Sequence, residues 1–309
     1  MTETVLETEG LTKYYGRKLA LDHMDLKIPR GCICGFVGRN GSGKTTAIKL
    51  MLGLLRPTAG ASKLLGCDSQ QLKPAIRQRV GYVTEGHRLF RWMSIGRLER
   101  FQRAFFPKQW DNKFFADMLE YFGLSKKQKI KNLSIGERAQ VSLGLALAPH
   151  PDVLIMDDPT LGLDAAIRRQ FLEGMIELIM REGRTVFFSS HILGDVERVA
   201  DRILVIDKGV IRADCSVEQF RGVVKKVRTA FEDSVPTQVD IEGLLHVRRG
   251  ERELQLILVG VDDEKIAEWS ASVGAKSHEI VKMNMEDQFI EYTAPPGHQR
   301  LFEWEEIIR

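Results

Sequence analysis

The chain has 309 residues, 43% hydrophobic and 28% charged, with a formal net charge of +3, enough apolar material for about two domains. Its four cysteines, Cys32, Cys34, Cys67 and Cys215, are scattered, which argues against a disulfide framework, and no run reaches the ~20 apolar residues of a membrane span. Residues 221–309 carry 12 Lys and Arg against 17 Asp and Glu, so the first 220 residues are net +8 and the rest net −5, a basic excess well short of the stripe that nucleic acid demands.

The first residues are polar and acidic, without a basic and then apolar leader, so a cytoplasmic chain is expected. Residues 5–11 and 19–28 predict two strands, the second alternating near its end. Between them, Tyr15 follows Lys13 and Tyr14, where an aromatic ring offers a stacking platform for a base. The apolar run 31–37 predicts a buried strand, on which Cys32 and Cys34 read as small core residues. Residues 46–52 carry helical spacing.

Between that strand and that helix stand Gly38, Arg39, Asn40, Gly41, Ser42, Gly43, Lys44, Thr45 and Thr46. The glycines let backbone N–H groups curl around an anion, and the helix N-terminus adds its positive end. Lys44 is placed to reach the β and γ phosphates of a nucleotide, and the Thr45 hydroxyl to ligate Mg²⁺.

Residues 54–60 break the helix with Pro57 and Gly60, and residues 79–85 predict a strand ending at Glu85. From 86 to 131 the pattern turns helical. Leu98, Phe101, Phe105 and Phe106 share one helical spacing, and Phe114, Phe115, Met118, Leu119 and Phe122 another. The basic and aromatic mix His87, Arg88, Phe90, Arg91 and Trp92 reads as helix-packing aromatics with solvated arginines rather than as an RNA-binding surface. Ser134 and Glu137 stand at capping-box spacing before the apolar helix that begins near residue 141, and a capped N-terminus is also an anion site. The strand 153–156 runs into Asp157 and Asp158. Buried carboxylates need positive charge; here Asp157 suits Mg²⁺ and Asp158 faces an attacking water. After Asp164 comes a long amphipathic helix, then the strand 185–189, which delivers Ser190 and His191 to the edge where open α/β sheets bind ligands.

These motifs, in this order, resemble the ATP-binding subunit of an ATP-binding cassette (ABC) transporter over about the first 220 residues. The resemblance implies an α/β fold: a P-loop NTPase core with an antiparallel β subdomain and a helical subdomain at about 86–150. It places residues 38–46 at the Walker A loop and Glu85 at the Q-loop, as a further metal contact. Residues 133–137, with Ser134, Gly136 and Glu137, fall at the signature, residues 153–157 at Walker B, residues 161–164 at the D-loop and His191 at the switch histidine. It implies ATP and Mg²⁺ as cofactors, and catalysis by Asp158, His191 and Lys44. It also implies a head-to-tail dimer, either with an identical chain or with a second cassette, and an integral membrane permease that holds the chain at the cytoplasmic face. Four positions depart from the family pattern: Glu85 for Gln, Ile135 for Gly, Glu137 for Gln and Asp158 for Glu. The runs 81–85 and 189–197 are similar to the single-domain ATPases of ABC-2 type exporters, where Glu at the Q-loop is familiar. Alternatives at this point are an ATP-gated module with little hydrolysis and a soluble ABC ATPase of translation or repair.

Residues 221–309 read as a separate α+β domain. Strands are expected at 223–231, 243–248, 253–259 and 278–283, with helices at 262–273 and 285–292. Phe302, Trp304, Ile307 and Ile308 form an apolar set in the final segment, expected to dock on its own domain.

Overall fold

The computed structural model describes residues 3–180 and 184–294; the apolar set at 302–308 lies outside the described residues. The chain divides into two compact units, Met1–Cys215 and Ser216–Arg309.

The first unit opens with β1 (Thr4–Tyr15), β2 (Lys18–Pro29), β3 (Ile33–Val37), α1 (Lys44–Met51), β4 (Ala59–Leu64), β5 (Cys67–Asp68), α2 (Pro74–Arg77) and β6 (Val80–Val83). It continues through α3 (Ile95–Arg103), α4 (Asn112–Tyr121), α5 (Ile135–Leu147), β7 (Val153–Met156), α6 (Ala165–Met180), β8 (Thr185–Ser190), α7 (Leu193–Val199), β9 (Arg202–Asp207) and β10 (Val210–Ser216). The strands form a four-stranded sheet in the order β2-β1-β4-β5 and a six-stranded sheet in the order β10-β9-β3-β8-β7-β6.

Burial explains the two kinds of strand. In β2, Met24, Leu26 and Ile28 are buried while Asp25 and Lys27 are exposed, the alternation of an antiparallel strand with one wet face. Every residue of β3, β7 and β8 is buried; these strands pair in parallel and are covered on both faces, so their sequences read as unbroken apolar runs. A core of Leu11, Met24, Phe36, Ile48, Leu50, Leu204 and Ile206 joins the two sheets. The Cys34 side chain is part of it, whereas Cys32 precedes β3 and is only partly buried.

The helical region has its own core, in which Ile95, Leu98, Phe115, Met118, Leu119 and Ile130 pack with Val141 and Leu145 of α5. Ser94 and Asp111 cap α3 and α4 by accepting from Arg97 N and Phe114 N, each side chain satisfying one N–H that a helix leaves open. The expectation that the aromatics at 90 and 92 pack between helices is corrected here. Leu98 is buried, but Phe101 and Phe105 are exposed, as are Phe90 and Trp92. Periodicity shows that residues share a helix face, not what covers that face.

The second unit holds α8 (Val217–Val223), β11 (Val224–Ala230), β12 (Leu244–Arg249), β13 (Glu253–Val259), α9 (Asp263–Ser272), β14 (Ser277–Val281) and α10 (Met285–Thr293). Its four strands form an antiparallel sheet in the order β12-β13-β11-β14, over which Val227, Leu254, Leu256, Ile266 and Trp269 form a core. Arg248 Nη2 donates to both carboxylate oxygens of buried Glu291, at 2.9 and 3.0 Å, which ties α10 to β12 with charge-assisted bonds. The chain divides after Cys215, whereas the sequence suggests a break after residue 220. The difference is α8, whose Phe220 packs edge-on against Tyr292 and whose Arg221 carbonyl accepts from Gln288 Nε2.

Candidate nucleotide-binding site

The strand order assembles the site. β3, β8, β7 and β6 are neighbours and parallel, so the segments that follow them leave from one edge of the sheet. Those segments carry the 38–46 loop, His191, the Asp157–Asp158 pair and Glu85, residues far apart in sequence. Ligands of open α/β sheets bind along this carboxyl edge.

The loop after β3 is held open by glycine. Gly43 sits at φ 113° and caps α1 without any side-chain bond, leaving first-turn N–H groups free for an anion. A side chain at Gly43 would come 2.6 Å from Ala20 O, and one at Gly38 would come 2.4 Å from Ile206 O. The loop is anchored by Ser42 N donating to Arg39 O at 3.1 Å and by Gly209 N donating to Ser42 O at 2.8 Å. Lys44 is only 8% exposed, and its ammonium donates to Gly38 O at 2.6 Å and Arg39 O at 3.2 Å. Burial pushes its pKa down, against the pull of Asp158, Asp157 and Glu85. A buried ammonium held only by carbonyls lacks a matching anion.

The carboxylates face this lysine. Asp157, fully buried, accepts at Oδ1 from Thr45 Oγ1 at 3.2 Å and from Ser189 Oγ at 2.9 Å. Asp158 is 6% exposed, at φ 45°, a left-handed backbone that short polar residues tolerate best. Its N–H donates to Ser189 Oγ at 2.9 Å, and its Oδ2 lies 2.7 Å from His191 Nδ1. Its Oδ1 is buried with no hydrogen-bond partner among the described residues. Burial raises the Asp158 pKa, with His191 and then Lys44 opposing, which makes it a stronger base than a free carboxylate.

A cleft of about 510 Å³ is lined by Tyr15, Asn40, Gly41, Gly43, Lys44, Thr45, Thr46, Glu85, Asp157 and Asp158. Tyr15 ends β1 opposite Lys18, one residue before the turn, is exposed, and has the Lys13 ammonium 5.5 Å from its ring centre. Lys18, Leu19, Ala20 and Lys208 also line the cleft and carry no sequence signal, being brought there by β2 and by the turn after β9. Gly38, Arg39 and Ser42 shape the loop without lining the cleft.

Ser134, Gly136 and Glu137 stand apart from it, at the start of α5. There Ser134 N donates to Glu137 Oε2 at 2.7 Å, and Glu137 N donates to Ser134 Oγ at 3.1 Å, a reciprocal capping box. Gly136 is buried in the first turn, and Ile135 is exposed beside it. The turn after Asp158 is pinned where Thr160 Oγ1 donates to buried Asp195 at 2.7 Å and Asp164 Oδ1 caps α6 by accepting from Ala166 N and Ile167 N, each at 3.0 Å.

The donor set fits a nucleotide with magnesium. Unmatched Lys44, the orphaned Asp158 Oδ1 and the orphaned, buried Ser42 Oγ surround a loop whose free N–H groups suit phosphate. Thr45 and Asp157 bring two hard oxygen ligands together. Two protein oxygens would leave the other positions of a bound Mg²⁺ to phosphate and water, the usual manner of this ion.

A glycine loop between a parallel strand and a helix, on the same sheet edge as a carboxylate pair two strands along, defines a P-loop nucleotide-binding domain. A family model described as ABC transporter matches residues 21–161. The chain is 30% identical to an uncharacterized ABC transporter ATP-binding protein, YdbJ of Bacillus subtilis (strain 168), over 317 residues covering 100% of both. It is 32% identical to the bacitracin transport ATP-binding protein BcrA of Bacillus licheniformis, over 71% of this chain and 72% of that one. A solved ATP-binding subunit of an ABC transporter superposes with a TM-score of 0.63 at 25% identity, over 71% of this chain and 92% of its own. The chain belongs to the ATP-binding proteins of ABC transporters, a family of ATPases. Among the described residues no helix is long and apolar enough to cross a membrane.

Proposed function

We propose that the chain is the motor subunit of an ABC-2 type exporter, working at the cytoplasmic face with a separate membrane permease. The observation that carries this reading is the convergence of Lys44, Thr45, Asp157, Asp158 and Glu85 on one cleft, with His191 bonded to Asp158 behind it. The phosphate loop binds the β and γ phosphates, and Thr45 and Asp157 hold Mg²⁺, which when bound spreads the charge of the phosphates. Asp158 orients and deprotonates the attacking water through its unpartnered oxygen, and His191 fixes the carboxylate. Tyr15 stacks on the adenine ring.

Two copies, or one copy and a second cassette, close head to tail on ATP, each offering Ser134 and the free N–H groups of its α5 start to the other's nucleotide. That trans contact is supported by the placement of the capped helix away from its own cleft. The permease is received by the helical region. Phe90, Trp92, Phe101 and Phe105 are exposed and touch in series, with ring centres 5.3 to 6.3 Å apart. Exposed Arg88, Arg91, Arg97, Arg100 and Arg103 accompany them, a surface suited to an apolar segment with acidic flanks. Residues 216–309 form an accessory domain.

Coexpression with the membrane protein of the adjoining reading frame tests this. Copurification with that protein and a rise in ATP turnover on assembly are expected; a ribosomal or repair setting, with no membrane protein bound, would exclude the exporter reading.

A further inference from the structure

We infer that His87 is a positioning residue for ATP hydrolysis, holding the Pro159 carbonyl, one residue past Asp158, and thereby fixing where the Asp158 carboxylate stands. The inference rests on the reading of Asp158 as the carboxylate that orients water.

The burial of His87 works against stability. The residue is 1% exposed, and its backbone φ is 50°, a left-handed conformation that His, like Asn and Asp, adopts more readily than other side chains. Its Nε2 lies 3.0 Å from Pro159 O. A carbonyl only accepts, so Nε2 carries the proton and Nδ1 is the bare nitrogen; that nitrogen is buried with no hydrogen-bond partner among the described residues. A buried, half-satisfied polar side chain is uncommon in a folded core, and each such group calls for a reason in the geometry around it.

The geometry that His87 serves is that of Asp158. The left-handed backbone of Asp158 is braced on both sides: Ser189 Oγ takes its N–H, and His87 takes the carbonyl of the next residue. Leu161 N closes the turn onto Asp158 O at 3.1 Å. Asp is one carbon shorter than the family's usual Glu, so its reach depends on where this turn holds the backbone. His87 also follows Glu85 by two residues, across Gly86 at φ 69°, and its N–H donates to Thr84 O at 3.1 Å. A shift of the Glu85 segment therefore moves the Asp158 turn.

Gln and Asn at position 87 separate this role from a purely structural one. The Gln amide reaches where Nε2 lies and keeps the donor; the Asn amide is too short to reach Pro159 O, although Asn suits a left-handed backbone better. Steady-state ATP hydrolysis by the purified full chain with saturating Mg²⁺ is compared for parent, His87→Gln and His87→Asn, with thermal midpoints measured in parallel. The expected result is a kcat for His87→Gln within about threefold of the parent, and one for His87→Asn lower by about 10- to 100-fold, the scale of an ångström of misplacement. KM for ATP should stay within about twofold in both. Equal kcat in the two variants, the reverse order, or a loss carried by KM would overturn the role. Asp158→Asn is run alongside. If that variant turns over like the parent, the underlying reading fails. If it is dead while His87→Asn matches the parent, only the positioning role fails.

Discussion

The shortened carboxylate at position 158 makes a quantitative commitment. Asp158→Asn keeps the side-chain shape and removes the charge that would orient and accept a proton from water, a contribution of about 10²- to 10⁴-fold in rate. Its Oδ2 bond to His191, at 2.7 Å, is replaced by a weaker neutral one. Asp158→Glu adds about 1.5 Å of reach in a residue only 6% exposed. The longer side chain must leave His191 or press into the cleft, and overpacking of this kind costs about 1 to 3 kcal/mol. Glu also lacks the tolerance of Asp for φ 45°. On these grounds Asp158→Glu should not exceed the parent. Phosphate release at saturating ATP and Mg²⁺, with Lys44→Ala as background, measures all three chains. A marked acceleration in Asp158→Glu would show that the natural chain is an ATP-gated clamp limited by reach; parental turnover in Asp158→Asn would remove Asp158 from the chemistry altogether.

Lys44→Ala should abolish turnover and weaken ATP binding, measured by equilibrium titration, because no other buried cation lines the cleft among the described residues; unchanged affinity would refute the loop assignment. Tyr15→Ala should raise the ATP dissociation constant by about 5- to 150-fold, the scale of a lost stacking contact of ~1–3 kcal/mol, and should affect inosine triphosphate similarly because stacking reads the ring face. Burial drives the pKa of His87 from its ordinary 6.5 to about 4, with the Pro159 carbonyl opposing and Arg138 adding to the fall. The unfolded chain then binds this proton more readily, so the folded state has the full benefit above about pH 6.5 and loses about 3 kcal/mol as pH falls to 4. Denaturant unfolding of His87→Gln should lack that component; identical slopes for parent and variant would contradict the burial.

What could be read in the sequence was chemistry packed into short stretches. The 38–46 loop, the Asp157–Asp158 pair after an apolar strand and the Ser134–Glu137 box each carry their meaning within ten residues, and the structure sets the first two at one sheet edge. The strands β4 and β5 escaped notice because β4 includes Gly60 and Ser62 and gains its order from pairing with β1, some fifty residues earlier. Lys18 and Lys208 line the cleft through similar long-range placement. Ser189 reads as one more residue of a buried strand, and only the fold reveals that it joins Asp157 to the Asp158 backbone. The exposed aromatic row at Phe101 and Phe105 shows the opposite limit, a helical period whose apolar face the fold leaves exposed.

The central claim, an ATPase whose site is completed across a dimer, is tested most directly by the specific activity of the purified chain as a function of its own concentration. Magnesium-dependent hydrolysis that rises with chain concentration at saturating ATP, and vanishes in Lys44→Ala, is the result the account requires. Nucleotide bound tightly with no turnover above the Lys44→Ala background at any concentration would contradict it.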